Sequence, residues 1–174
     1  VVVQCEVAML ETERLTIRRI TIDDASFMIA TLNDPGFLAN IGDRGVRTVE
    51  DAETYIRDRI LASYEANGFG MFRVALKEND EGIGTVGFVK RDGLDGPDLG
   101  FAFLQAHTGK GYGHEAARAL MDWGREALDM PPLLAITAPD NHASAALLAK
   151  LGFREEGRIT LPTHGGESRL FVQG

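Results

Sequence analysis

The stretch from Leu99 to Leu128 limits the possible folds more than any other part of the chain. An apolar run, Leu99-Gly100-Phe101-Ala102-Phe103-Leu104, suits a buried strand, and Thr108-Gly109-Lys110-Gly111-Tyr112-Gly113 follows it. From Glu115 to Leu128 the apolar residues Ala116, Leu120, Trp123, Ala127 and Leu128 mark one helix face, which Met130-Pro131-Pro132 terminates. A second short apolar segment, Leu133 to Thr137, comes next. Two strands separated by a helix should lie parallel and adjacent, joined by a right-handed crossover. Glycines between strand and helix let several backbone N–H groups turn toward one point at the positive end of the helix dipole, which makes an anion cradle. Phosphate or pyrophosphate is the expected guest.

The cradle fits neither common nucleotide fingerprint. Its spacing is Gly-x-Gly-x-Gly, it lies late in the chain, and it closes no early βαβ unit, which argues against a dinucleotide site. The P-loop needs four residues between its first glycine and Gly-Lys-Ser/Thr, which Gly109-Lys110-Gly111-Tyr112 does not supply. With 20 glycines in 174 residues the cluster could also be a plain turn, so its meaning depends on what surrounds it.

Upstream, Leu15-Thr16-Ile17-Arg18-Arg19-Ile20 reads as an early strand, and Thr21 to Asp24 caps a helix over Ala25 to Leu32. Asn33-Asp34-Pro35-Gly36 should stop that helix and open a long loop to Arg47. Thr48 and Asp51 have capping-box spacing ahead of a second helix ending near Asn67-Gly68. Phe69 to Leu76, Ile83 to Lys90 and the strand at Leu99 form an antiparallel meander. Asn141 to Leu151 gives a last helix, and residues 158 to 162 and 168 to 172 give two final strands. The length suits a single domain, residues 1 to 174, with residues 1 to 9 expected to be a flexible end.

A net charge of −8 argues against broad nucleic-acid binding and implies that an anion site must work locally, through backbone N–H groups and side chains such as Lys110. An acidic surface also suits a cationic acceptor such as an amine. No segment approaches the roughly 20 apolar residues of a membrane span, and Val1-Val2-Val3 lacks the basic leader of a signal peptide. A lone Cys5 and four scattered histidines supply neither an intrachain disulfide nor a metal cluster. A reducing, cytoplasmic setting without membrane or metal is the expectation.

Four ordered blocks carry a resemblance: Leu10 to Leu15, Leu99 to Phe103, Gly109 to Ala116, and Asn141-His142-Ala143-Ser144 followed by Leu151-Gly152-Phe153. The chain resembles the GNAT acyl-CoA N-acyltransferases from Leu10 to about Val172, and within them the RimJ/RimL-like branch that acetylates ribosomal-protein N-termini. The resemblance implies an α/β fold with one central, mixed, mostly antiparallel twisted sheet, helices on both faces and a splayed parallel strand pair. It implies acetyl-CoA as cosubstrate, with its pyrophosphate on Thr108, Gly109, Lys110, Gly111, Tyr112 and Gly113, and its pantetheine arm along the edge of Phe101, Ala102 and Phe103. Thr108 stands where the family usually has Arg or Gln, so only backbone donation is carried over there.

Acetyl transfer needs a neutral amine, an N–H donor for the oxyanion and an acid for the departing thiolate. The resemblance puts the oxyanion donor at the backbone of Phe103 or Leu104, and Asn141 in contact with coenzyme A. Leu148 stands where many relatives have an acidic tyrosine, leaving Ser144 as proton donor. Asp98 could be the base or turn polarity after Pro97, Asn141 and Ser144 could be helix caps alone, and His107 and His142 read as surface residues. A protein N-terminus is the leading acceptor, a small-molecule amine the runner-up, and a non-catalytic acyl-CoA sensor the rival from another class. The acceptor side should be shaped by the first two helices, the loop Gly36 to Arg47 and the hairpin at Thr163 to Gly166. A C2 homodimer is the default expectation.

Overall fold

The computed structural model describes residues 10–162 and 166–174. The expected end at residues 1 to 9, Cys5 within it, and Thr163, His164 and Gly165 of the last hairpin lie outside the described residues.

The chain opens with β1 (Leu10–Glu11) and β2 (Leu15–Arg19), whose Leu15 and Ile17 are fully buried. A 3-10 turn leads into α1 (Ala25–Leu32). Asn33 to Gly36 does stop α1, but the expected long loop is a second short helix, α2 (Pro35–Asn40). The cause is local: Asp34 caps the Gly36 N–H at 3.2 Å, and Pro35, with φ preset and no N–H to satisfy, sits in the first turn. The next helix begins with the expected capping box, Asp51 N–H donating to Thr48 Oγ1 at 3.0 Å and Thr48 N–H to Asp51 at 3.1 Å. It runs as α3 (Val49–Tyr55), a π-helical segment Ile56–Leu61, and α4 (Ala62–Asn67), closed by Gly68 in the left-handed region.

Then come β3 (Met71–Leu76), β4 (Gly82–Val89), β5 (Asp98–Phe103), α5 (Tyr112–Ala127), β6 (Leu134–Thr137), α6 (His142–Lys150), β7 (Phe153–Thr160) and β8 (Glu167–Gln173). β7 begins at Phe153, five residues earlier than its sequence pattern suggests, because its exposed run Arg154-Glu155-Glu156 pairs with the half-buried β8 and carries no strand-like alternation. All eight strands form one sheet in the order β1-β2-β3-β4-β5-β6-β8-β7. Every neighbouring pair is antiparallel except β5 and β6, the parallel pair expected from the crossover.

The strand period divides the helices between two faces. Gly124 of α5 sits against the Phe88 ring and Gly113 near the Phe103 ring, so α5 covers the face carrying Val86, Phe88 and Phe103. Trp123 stacks on Phe88, with ring centroids 6.5 Å apart, and meets Phe72 edge-on at 5.8 Å, which places it in the core as expected. The opposite face presents Thr85, Gly100 and Ala102 to a cavity walled by α1, α2 and the π-helical segment.

Candidate active site

β5 and β6 pair only at Asp98 and Leu134, where the Leu134 N–H donates to the Pro97 carbonyl at 3.1 Å. Beyond that point each strand keeps its outer partner, β5 bonding β4 to Phe103 and β6 bonding β8 to Thr137, and the sheet opens between them. The Leu104 N–H donates to the Ile83 carbonyl at 2.9 Å, which fixes the phase of the β4–β5 ladder. Ala102 therefore bonds toward β4, while the N–H and C=O of Phe101 and Phe103 face the opening. This narrows two expectations. Of the three residues assigned to the cofactor edge, Ala102 offers no free backbone group, although it lines the cavity. Of the two oxyanion donors, Leu104 is already engaged and Phe103 remains.

The glycine turn lies at the wide end of the opening. Gln105 to His107 form a 3-10 turn, Gly109 and Gly111 take φ of +78° and +84°, and Gly111 caps α5. Only glycine adopts these values without strain. A methyl group at Gly109 would meet nothing within 4 Å, so the turn is open on that side. No side chain caps α5, and the Glu115 N–H is the first in this helix to bond back, to the Gly111 carbonyl at 3.1 Å. The N–H groups of Tyr112, Gly113 and His114 are thus the orphan donors of a helix start. Thr108 differs from expectation: its N–H and hydroxyl both donate to the Gln105 carbonyl, at 3.3 and 2.9 Å, so it closes the 3-10 turn and has no free donor for an anion. Lys110 is exposed.

The sequence reading missed what braces this turn. Thr12 Oγ1 donates to Glu115, the Arg14 N–H and Nε donate to the same carboxylate at 3.0 and 2.7 Å, and Arg14 Nη1 donates to the Lys110 carbonyl at 3.0 Å. The guanidinium also lies 4.4 Å from the centre of the Tyr112 ring.

On the other side of the opening, Asn141 caps α6, its Oδ1 accepting from the Ser144 N–H at 3.2 Å. Its Nδ2 and the half-buried Ser144 hydroxyl have no partner among the described residues, and both residues line the cavity. Leu148 is fully buried and belongs to the core. His142 is exposed, His107 lies 3.7 Å from Glu81, and neither lines the cavity.

That cavity, of about 510 Å³, runs from Asn141 and Ser144 past Gly100 and Ala102 to Phe37 of α2, Ile41 just beyond it and Arg59 of the π-helical segment. Asp98, only 1% exposed, lines it at the closed end of the strand pair. Burial pushes its carboxyl above the ordinary value, against the opposing charge of Arg91, whose Nε reaches both oxygens at 3.0 and 3.2 Å. Thr137, at the end of β6, also lines the cavity, and its buried hydroxyl has no hydrogen-bond partner among the described residues.

A free strand edge thus borders the cavity, and a glycine turn follows the strand that carries it. An acetyltransferase (GNAT) domain model matches residues 14–154. The chain belongs to the GNAT acetyltransferases. Among its relatives, the uncharacterized N-acetyltransferase p20 of Bacillus licheniformis is 33% identical over 151 residues, covering 86% of this chain and 84% of that protein. The acetyltransferase from Agrobacterium tumefaciens strain C58 superposes with a TM-score of 0.79 at 27% identity, covering 95% and 93% of the two chains. RimL, a ribosomal L7/L12 α-N-protein acetyltransferase solved with coenzyme A, shares the fold with a TM-score of 0.79 at 16% identity, covering 95% and 96%. The protein is thus a GNAT acetyltransferase that uses acetyl-CoA. Its own residues fit that cosubstrate: the free backbone groups of Phe101 and Phe103 suit the amides of a pantetheine arm, the glycine turn suits a pyrophosphate, and the Thr137 hydroxyl, unpartnered among the described residues, lines the cavity beside Phe101. Among the described residues, no helix is long and apolar enough to cross a membrane.

Proposed function

We propose that this chain, as one domain, transfers the acetyl group of acetyl-CoA directly to a primary amine, and that the amine is the N-terminal α-amino group of a protein. The observation that carries the transfer is the opening between β5 and β6, where Phe101, on the free edge of β5, lines one cavity with Asn141 and Ser144.

Gly109, Gly111, Tyr112 and Gly113 hold the pyrophosphate on backbone N–H groups, with Lys110 adding charge. Phe101 and Phe103 bond the pantetheine arm as an added strand would, and Asn141 contacts it through Nδ2. The amine nitrogen attacks the thioester carbonyl, the Phe103 N–H stabilises the oxygen as it gains charge, and the C–S bond then breaks. Ser144 Oγ gives a proton to the departing sulfur, and Asp98 takes the surplus proton from nitrogen. A carboxyl lifted by burial is a better base than an exposed one. An α-amino group, with a pKa near ~8, needs only such modest help, whereas a lysine amine near ~10.4 needs more. That difference supports an N-terminal acceptor, as does the fold shared with RimL.

The test is thiol release from acetyl-CoA, measured against N-terminal peptides, free amino acids and polyamines. Release driven by peptides and slowed about 10²-fold by Ser144→Ala is the expected result. Release driven by small amines alone would move the acceptor to that class, and coenzyme A binding without release would leave a sensor.

A further inference from the structure

Glu115 raises a problem for the donor site. It stands on the first turn of α5, where the helix start and the glycine turn offer their free N–H groups. A carboxylate there stabilises the helix dipole, yet it repels any phosphate brought to the same N–H groups. The structure turns this carboxylate toward β1 and β2 and surrounds it with donors from Thr12 and Arg14. Burial alone would raise its pKa, but these hydrogen bonds hold it below the ordinary value, so it stays ionised and needs a counter-charge. The Arg14 guanidinium supplies it at 2.7 Å.

The same arginine acts on the turn itself. Its Nη1 donates to the Lys110 carbonyl at 3.0 Å, and a methyl group at Gly111 would lie only 3.4 Å from its Nη2. In a trans peptide the carbonyl of one residue and the N–H of the next point in opposite directions. Holding the Lys110 carbonyl on the Arg14 side therefore directs the Gly111 N–H the other way. Were that peptide to flip, a carbonyl oxygen would replace a donor in the cradle. The Tyr112 ring, 4.4 Å beneath the guanidinium, limits where Arg14 can move.

We propose that Arg14, some hundred residues upstream of the glycine turn, is a positioning residue of the donor site: it neutralises Glu115 and orients the Lys110–Gly111 peptide so that its N–H faces the phosphates of coenzyme A. This rests on the reading that the glycine turn holds those phosphates. The short strand β1 and the turn into β2 then belong to the donor site as a brace, and Thr12 completes it by bonding the same carboxylate.

A double-mutant cycle on coenzyme A affinity, measured by calorimetry without any acceptor, tests the proposal. Arg14→Gln should weaken binding about tenfold, the scale of one charge-assisted interaction. Adding Glu115→Gln removes the charge that Arg14 hides and should recover affinity to within about threefold of the wild type. A purely structural brace makes the opposite prediction, since deleting both partners is then no better than deleting one. Pantetheine, which lacks the phosphates, gives the second readout by thermal shift: its binding should change less than that of coenzyme A. Should Arg14→Gln fail to fold, Arg14→Lys keeps the charge but loses the two-pronged contact, and weaker coenzyme A binding than the wild type is again expected. Unchanged affinity in either variant, a double mutant no better than Arg14→Gln, or equal losses for pantetheine and coenzyme A would overturn the proposal. A wild type that binds no coenzyme A would overturn it together with the reading on which it rests.

Discussion

Phe103 shows how much one residue can carry at the opening between β5 and β6. Its ring packs near Gly113 at the start of α5, while its N–H faces the opening, because the neighbouring Leu104 N–H is committed to Ile83. Side chain and backbone thus serve different partners, as the alternation of a strand allows. Thr137, across the opening, is the converse case: a buried hydroxyl with no hydrogen-bond partner among the described residues. Leaving such a group unpaired costs on the order of 1–3 kcal/mol. Thr137→Val, nearly identical in shape, should raise the urea midpoint of the free protein by the equivalent of about 1 kcal/mol. The same variant should bind coenzyme A more weakly. A gain in stability with unchanged affinity would make the hydroxyl a simple packing defect, and a loss of stability would mean that it has an internal partner.

The elements differ in how legible they were from sequence. The helix over Ala25 to Leu32 and the capping box at Thr48 and Asp51 were readable because apolar spacing and cap chemistry agree there. So was the parallel pair, since a helix between two apolar runs leaves little choice. α2 is hidden in the sequence because Asp34-Pro35 serves equally as a helix stop and a helix start. The π-helical segment leaves no trace in the apolar pattern, although it walls the cavity, a placement common for such segments. In the site, glycine spacing revealed the cradle, but the brace of Thr12 and Arg14 on Glu115 spans about a hundred residues and has no local signature. Strand phase is equally hidden, because nothing in the sequence separates Ala102 and Leu104 from Phe101 and Phe103. α5 offers a test of its own. Its Gly124 lets the helix approach the sheet so closely that a Cβ would lie 2.6 Å from the tip of the Phe88 ring, which is fully buried against Trp123 and Phe69. Alanine favours a helix by about 1 kcal/mol over glycine, but overpacking a closed core costs about 1–3 kcal/mol. Gly124→Ala should therefore lower the urea midpoint. A higher midpoint would show that the contact relaxes freely.

Across the whole molecule, a few ion pairs join separate elements, and they make stability depend on pH. Asp24, bonded in a fork by Arg18 at 2.8 Å for each oxygen, fastens α1 to β2, and Glu115 fastens α5 to the turn before β2. Burial raises both carboxyls, but the hydrogen bonds outweigh it and leave each below its ordinary value of 3.8 or 4.5. A carboxyl with a lowered folded pKa contributes fully above its unfolded value and is lost as pH falls through the folded one. The melting temperature should accordingly hold steady from neutral pH to about 5.5 and drop as the pH falls below the ordinary values of these two groups. Asp98, raised by burial, opposes this trend. Asp24→Asn should flatten the acid limb, and an unchanged limb would remove Asp24 from the account. Residue-resolved amide hydrogen exchange with and without coenzyme A shows whether one opening in one sheet receives the donor. New protection is expected at Phe101, Phe103, Gly111, Tyr112 and Gly113, with Ala102 and Leu104 unchanged because they are already bonded to β4 and Ile83. Protection that spared the Phe101 and Phe103 edge, or that fell on another part of the sheet, would contradict it.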